Sequence, residues 1–293
     1  MTSAETLVLA ERRGRGLWDD AGRRLTRNRA AVASLVLLAL LALAALIGPA
    51  LTPYSFDQIS KDDVWAPPLV HGHLLGADSL GRDLLCRLLI GLRVSLAIGA
   101  AASAVSLLIG VAWGAVAGYV GGWLDEVMMR FVDVLYALPF IFFVILLMVT
   151  FGRNFILVFL AIGAVEWLTM ARIVRGQTLS LKQMEFVEAA RAAGLGGGAI
   201  VVRHIVPNLL GPVVVYATLT IPGVILTESF LSFLGLGVQE PLTSLGVLIS
   251  SGALVMDQAP WLLIFPSITM VATLMAFNLI GDGLRDALDP KDR

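Results

Sequence analysis

Long charge-free runs of apolar residues dominate the chain. Six of them approach or exceed the length of about 20 residues at which a helix crosses a bilayer. They cover residues 30–51, 94–120, 134–151, 154–171 (interrupted by Glu166), 209–230 (with Glu228 near its end) and 260–280. The pattern predicts an all-α polytopic membrane protein with six transmembrane helices, in which short polar segments join the spans.

Composition agrees with this class and narrows the function. Hydrophobic residues make up 58% of the chain and charged residues only 15%, which is too little charge for a soluble domain of 293 residues. The net charge of −1 argues against nucleic acid as a partner and leaves membrane lipid as the surroundings. Because Cys86 is the only cysteine, an internal disulfide and a cysteine-based metal site are both excluded.

The distribution of basic residues predicts the orientation in the membrane. The N-terminal tail holds seven Lys and Arg, the turn after the second run one, the loop after the fourth run five and the C-terminal tail three. The segments on the opposite side hold only five. Since basic residues concentrate on the cytoplasmic side, both termini are predicted to be cytoplasmic.

Spans and orientation together give a domain layout. The basic N-terminal segment is long and precedes a run long enough to span, so we expect a retained anchor rather than a cleaved signal. The predicted parts are a cytoplasmic tail (1–29), a first transmembrane helix (30–51), an extracytoplasmic loop (52–93), a core of five transmembrane helices (94–281) with a cytoplasmic loop (173–208), and a cytoplasmic tail (282–293).

The segment "EFVEAARAAG", residues 185–194, is the polar exception inside the core. At helical spacing, Glu185, Glu188 and Arg191 share one face, and the opposite, apolar face is formed by Phe186, Ala189, Ala190 and Ala193. We expect Gly194 to end this helix. A second short helix, "AIVVRHIV", is expected to end at Pro207, which then opens the fifth span.

This helix–glycine–helix unit has two interpretations. It is either a rigid bent element that enters a cleft on a cytosolic partner, or a solvated amphipathic loop helix between two spans. The helix pattern alone favours the second interpretation.

A resemblance to a known family alters that balance. "EAARAAG" followed by "HIVPN" resembles the signature loop of bacterial ABC importer permeases, and the motif falls on Glu188, Ala189, Ala190, Gly194 and Pro207. His204 stands where that family usually has Ile, and Val206 where it has Leu. Ile205 is expected to supply the apolar contact instead.

The resemblance extends over nearly the whole chain. The segments "HLLGADSLGRDLLCRLLIGLRVSL", "RFVDVLYALPFI", "ESFLSFLGLGVQEP" and "NLIGDGLRDALDP" are similar, in order and spacing, to the dipeptide/oligopeptide (peptide/nickel) permeases, and most of all to their C-type subunit. One departure is Leu245 in "TSLG", where Trp is common.

The resemblance implies a fold, partners and site residues. It implies the type I ABC importer permease fold in a bacterial inner (plasma) membrane, with half of a translocation pathway in this chain. A homologous second permease would complete a heterodimer, and one or two cytoplasmic ATPase subunits and an extracytoplasmic substrate-binding protein would join it. The implied coupling residues are Phe186, Glu188, Ala189, Ala190, Arg191, Gly194, His204 and Pro207.

The same resemblance implies that ATP and Mg are bound by the partner ATPase, so this chain is expected to hold no cofactor, no metal and no catalytic residue. The chain also lacks the lysine-bearing glycine-rich motif that cradles nucleotide phosphates. The implied cargo is a di- or oligopeptide. Nickel, glutathione and opines or sugars remain open within the same class.

Three further features were weighed. Glu166 and Glu228 lie within or near spans, where ionisable groups usually face a cavity or a partner, and both are pathway or structural candidates. For Glu228 the structural role is favoured. For Glu166 the pathway role and the structural role are equally supported. His71 and His73 form a two-histidine motif that is weak as a metal site, so we interpret them as polar loop residues.

A function of a different class remains an alternative. A stand-alone ion-coupled secondary transporter would show inverted repeats with paired broken helices. No convincing repeat relates the two halves, and such a protein would leave the charged cytoplasmic helix unexplained.

Overall fold

The computed structural model describes residues 17–151 and 155–288. In that part of the chain helices are joined by loops and no β-strand is present, which confirms the all-α prediction. The helices are α1 (Leu17–Arg27), α2 (Arg29–Leu51), α3 (Leu84–Val120), α4 (Gly122–Ala137), α5 (Phe140–Phe151), α6 (Phe155–Leu181), α7 (Glu185–Ala192), α8 (Gly197–Ile200), α9 (Val206–Phe233), α10 (Leu245–Ala253) and α11 (Trp261–Leu288), with a π-helical turn (Val201–Ile205) between α8 and α9.

Four helical segments are long and apolar enough to cross a bilayer. They are α2, α3, the continuous run from α8 through α9, and α11. The pair α4 and α5 counts as a fifth crossing if the two helices, which are bent by 81°, form one broken span. The chain is thus a multi-pass integral membrane protein, and four or five of the six predicted crossings are recovered among the described residues.

The first span is capped at its start and tied to the core near its end. The Asn28 side chain accepts hydrogen bonds from the backbone N–H groups of Ala30 and Ala31. Pro49 has no N–H, so the carbonyl of Ala45 loses its helical partner. Arg93 Nε of α3 donates to that carbonyl at 2.8 Å. A polar group freed inside the membrane is thereby satisfied.

The second span begins ten residues earlier than the sequence pattern indicated. Arg87 and Arg93 give residues 84–92 the pattern of a separate helix at the membrane interface with both side chains reaching outward, but the structure contains no such separate helix. Asp83 caps α3 by accepting from the N–H of Cys86 at 2.7 Å, and the helix continues unbroken to Val120. Arg87 is 3% exposed because it is enclosed by protein.

The third predicted span is not one helix. The pattern placed it at residues 134–151. In the structure α4 begins well before that run, at Gly122, and ends inside it at Ala137. Leu138 is extended because it precedes Pro139, whose ring disfavours the helical conformation of its neighbour. The apolar run therefore divides between two helices that meet at a sharp angle.

A stripe of glycines joins α3 to α6. Gly110, Gly114 and Gly118 recur at every fourth residue of α3 and face α6. A Cβ built on Gly114 would lie 2.4 Å from the carbonyl oxygen of Ala171, and those on Gly110 and Gly118 would meet Met170 and Thr178 at under 3 Å. Small residues at this spacing let two membrane helices approach until their backbones touch. The Gly-x-x-x-Gly spacing was present in the sequence and was not recognised.

The cores lie on either side of this contact. One cluster packs the N-terminal half of α3 against the C-terminal half of α9, through Ile98, Val224 and Leu231. A second cluster joins α3, α6 and α9 to α7, through buried side chains that include Val174, Val187 and Leu209. The charged segment of the sequence is thus attached to the membrane helices by ordinary apolar packing.

Adding one methyl group to the stripe should destabilise the fold. Gly114→Ala places a Cβ against a backbone oxygen that cannot rotate away, so we expect a loss of about 1–3 kcal/mol. Thermal unfolding of the purified protein in detergent measures this loss as a lower midpoint. Gly176→Ala is the matched control, since nothing lies within 4 Å of the Cβ built there. Equal midpoints for the two variants would contradict the close contact.

Candidate coupling site

The helix α7 is short and ends in a defined glycine turn. Gly194 has a φ of +82°, the left-handed conformation that the sequence predicts for it. The N–H of Gly194 donates to the carbonyl of Arg191 at 2.9 Å, and that of Leu195 donates to the carbonyl of Ala190 at 3.1 Å. These two bonds form a Schellman motif. The chain therefore leaves α7 in a fixed direction.

The structure divides the predicted apolar face of α7. Ala190 is buried together with Val187, which the sequence reading left out, and both pack into the chain's own core. Phe186, Ala189 and Ala193 remain exposed. Ala190 is thus unavailable to a partner, because the face used for internal packing is turned by about 80° from the one expected. The exposed strip Phe186–Ala189–Ala193 is named the open strip below.

The charged residues of α7 do not pair with each other. Arg191 lies over the ring of Tyr119 on α3, with its guanidinium carbon 5.4 Å from the ring centroid. In the described part of the chain no ion pair joins it to Glu188, although their spacing would permit one. Glu188 is exposed, so its carboxylate is available to a partner.

The segment after the glycine turn differs from the prediction. We expected its helix to end at Pro207, but the chain runs from α8 through the π-helical turn into α9 without a break. Pro207 lies in the first turn of α9. The N–H of Val206 bonds to the carbonyl of Val201 in the wider π pattern. A π-helical turn shifts the hydrogen-bond register, which allows the proline within a continuous helix.

His204 lies beside the open strip. Its ring centroid is 6.5 Å from that of Phe186. Ile205, which we expected to replace the family's usual apolar contact, is fully buried in the chain's own core and cannot serve. The exposed surface beside the open strip is therefore formed by the aromatic pair of Phe186 and His204.

The base of α7 is bonded to the glycine stripe. Lys182 lies in the three-residue connection between α6 and α7, and its Nζ donates to the carbonyl of Gly118 at 2.9 Å. Tyr119, the next residue of α3, packs against the core that holds Val187. The start of α7 is therefore attached to both α3 and α6.

Two ion pairs connect α4 to the same end of α6. Arg175 donates from two nitrogens to the two oxygens of Asp125 at 2.6 and 2.7 Å. Arg172 donates to Asp133 at 2.8 Å and lies 4.3 Å from the centroid of the Tyr136 ring. Bidentate pairs of the first kind fix orientation as well as distance. Sequence reasoning missed both, because the partners are 50 and 39 residues apart.

Glu228 is buried in α9 and holds the loop between α9 and α10. Its Oε1 accepts from the hydroxyls of Ser232 at 2.6 Å and Ser244 at 2.7 Å. Ser244 is the N-cap of α10, where its Oγ accepts from the N–H of Val247. Glu228 therefore fixes α10 against α9.

An ion pair joins the loop before α3 to the loop before α10. Arg82 donates from Nη2 to Glu240 at 2.9 Å and from Nε to Asp78 at 2.8 Å. The hydrogen bond from Arg82 lowers the pKa of Glu240 below its ordinary value. The loops 52–83 and 234–244 are thereby held together as one surface.

The two histidines of the first loop contact carboxylates. His73 is buried, and its Nδ1 lies 2.8 Å from Asp83 Oδ1 while the ring of Tyr54 stacks on it at 4.3 Å. His71 Nδ1 lies 2.6 Å from Asp63 Oδ1. A search of residues 17–151 and 155–288 finds no group of three or more potential ligands placed to hold a metal ion.

Glu166 is separate from the other candidates. It is half-buried in the middle of α6 and lines a cavity beside the bend between α4 and α5. The structure does not bring it near Glu228 or α7, so the predicted site residues form three groups.

Comparison with known proteins now identifies the family. Residues 110–293, more than half of the chain, match the model of binding-protein-dependent transport system inner membrane components. The chain belongs to this family. Residues 16–68 of this permease also match the N-terminal transmembrane domain of oligopeptide transport permease C. The resemblance inferred from "EAARAAG" is confirmed.

Individual relatives are similar over almost their full length. The permease is 59% identical to the oligopeptide transport system permease protein OppC of Escherichia coli K12, across 96% of this chain and 93% of that protein. It is 53% identical to OppC of Haemophilus influenzae, across 96% and 90%. The dipeptide transport system permease protein DppC of Bacillus subtilis is 45% identical, across 94% and 86%.

The glycine turn after α7 should not tolerate a side chain. Gly194→Ala has open space around its Cβ but must hold a left-handed residue, which costs about 1–2 kcal/mol. We expect faster amide hydrogen exchange across Glu185–Ala192 in the purified permease. Gly198→Ala is the control, because its Cβ also meets open space without a positive φ. Unchanged exchange in the Gly194 variant would refute the turn.

The bond between the loop before α3 and the loop before α10 should weaken in acid. Because the folded pKa of Glu240 is lowered, its contribution to stability is present above the ordinary Glu pKa of about 4.3 and is lost as pH falls through the folded value. We expect Glu240→Gln to lower the thermal midpoint at pH 7, and the difference from wild type to shrink steadily as pH falls below the ordinary Glu pKa. A difference that stays constant over that acid range would show that Arg82 does not act through this carboxylate.

Proposed function

We propose that this permease is the transmembrane subunit of an ATP-driven importer of di- and oligopeptides. It forms half of the translocation pathway and couples to a cytoplasmic ATPase through the loop around Glu188–Gly194. The observation that carries the proposal is α7, a short exposed helix fixed rigidly to the membrane helices, in a member of the binding-protein-dependent family. The high identity to oligopeptide and dipeptide permeases supports the peptide cargo.

The proposal includes six spans with both termini in the cytoplasm of a bacterial cell. Helix α6 has 27 residues, a length of about 40 Å at the helical rise, and would be the span that completes six with the bent pair. The excess of basic residues on the side of α7 supports the cytoplasmic placement. The proposal keeps the domain layout predicted from the sequence, except that the second span begins at Leu84.

The open strip is the proposed docking surface. Ala189 and Ala193 present only methyl groups, so a groove on the ATPase can approach the helix backbone closely. Phe186 of the same strip, with His204 beside it, adds a larger contact, and Glu188 supplies a charge for a basic partner residue. Ala190, Gly194 and Pro207 would act from within, by fixing α7 and its continuation.

The remaining parts of the system follow from the same proposal. A second permease completes the pathway, a substrate-binding protein delivers cargo to the outer loops, and ATP and Mg are bound by the ATPase. Membership in a binding-protein-dependent family argues against the stand-alone secondary transporter, which needs no such protein. Nickel, glutathione and opines or sugars remain alternative cargoes within the class.

A charge on the open strip tests the coupling. Ala189→Glu should abolish co-purification of the ATPase and reduce ATP-driven peptide uptake by roughly tenfold or more, since a buried unpaired carboxylate costs more than 1.4 kcal/mol. Ala192→Glu is the matched control, because Ala192 lies beside Glu185 and Glu188 on the polar face. If Ala189→Glu keeps both ATPase binding and uptake, α7 is not the coupling element.

A further inference from the structure

A cavity lies beside the bend between α4 and α5, apart from the coupling site. Its volume is about 500 Å³, within the range of small-molecule sites. Five of its lining side chains are aromatic, namely Phe131, Tyr136, Phe140, Phe143 and Trp167. Its one acidic lining residue is Glu166.

The carboxylate of Glu166 has no partner in the described part of the chain. Neither a hydrogen bond nor an ion pair reaches it from residues 17–151 or 155–288. The next cations along α6 are engaged elsewhere, because Arg172 pairs with Asp133 and Arg175 pairs with Asp125. An acidic group is therefore present without the positive charge that would balance it.

The position of Glu166 makes an unpaired charge costly. It is eleven residues from the start of α6, which places it about 16 Å along the helix and near the middle of a bilayer. Ionisable groups at that depth face a cavity or a partner, since isolation in hydrocarbon is unfavourable. Glu166 does face a cavity, so the ligand is expected there.

The lining indicates the charge of that ligand. Aromatic ring faces attract cations, and the attraction grows where water is excluded. One of these rings already behaves in this way, because the guanidinium of Arg172 lies 4.3 Å from the centroid of Tyr136. A carboxylate surrounded by aromatic rings is suited to a primary ammonium group and unsuited to an anion.

We propose that this cavity is the subsite for the amino-terminal ammonium of the peptide in transit, with Glu166 as its counter-ion and the aromatic rings as its walls. The inference rests on the proposed function, because the ammonium is supplied by a peptide cargo. Under this inference the translocation pathway itself selects peptides that carry a free amino-terminal ammonium. This selection takes place after the peptide has left its binding protein.

Two measurements separate this inference from the proposed function. ATP-driven uptake of trialanine by the complete system tests the function. Equilibrium binding of trialanine and of N-acetyl-trialanine to the permease pair with its ATPase, in nanodiscs without the binding protein, tests the subsite. We expect the wild type to bind trialanine at least about tenfold more tightly than the acetylated form.

Variants at one position then assign the preference. Glu166→Gln should abolish the difference between the two peptides, and Glu166→Asp should retain part of it. Glu126→Gln is the control, since it removes an exposed carboxylate of α4 outside this cavity and should keep the wild-type ratio.

Several results would overturn the subsite. They are a wild-type ratio preserved in Glu166→Gln, and a wild-type complex that binds both peptides alike or neither. Separation of the two permeases by Glu166→Gln in native mass spectrometry would show that the second permease supplies the cation instead. Uptake of trialanine by the wild type in any of these cases leaves the proposed function intact.

Discussion

The close contact of α3 with α6 is the constraint on which the other features depend. In a bilayer, helices gain little from burying apolar surface, so their association relies on backbone approach and van der Waals packing. Three glycines provide that approach over two helical turns. The turn after α6 then brings α7 against the same two helices, and Lys182 bonds it to the last of the three glycines. A partner that grips α7 would thus act directly on the centre of the bundle.

The positions of most helices could be predicted from the apolar runs. A bilayer requires long uncharged helical segments and permits few other structures across it. The boundaries were less accurate. Residues 84–92 looked amphipathic because Arg87 and Arg93 were assigned to water, yet both bond to other parts of the chain. Pro139 falls inside a run that is uniformly apolar, and hydropathy carries no information about the direction of the chain there.

The candidate site shows a similar division. A local signal, the glycine after "EAARAA", was sufficient to predict a left-handed helix end at Gly194. The face of α7 was predicted with an error, since helical spacing shows which residues share a side and not which side meets the core. Val187 decides that question, and it lies between Phe186 and Glu188 in sequence. The pairs of Asp125 with Arg175 and of Glu228 with Ser244 depend on distant contacts that no local pattern contains.

The unbroken helix from Gly197 to Phe233 has a mechanical consequence. Its 37 residues form a rod of about 55 Å, longer than the hydrocarbon core is thick. The rod begins beside α7 and ends next to the loop that Glu228 fixes. By simple trigonometry, a tilt of about 10° about one end displaces the other by about 10 Å, which is comparable to the width of a peptide. Because the π-helical turn carries the helix past Pro207 without a break, a displacement at the α7 end would be carried toward the Glu228 end, through a helix that also contains Pro212 and Pro222.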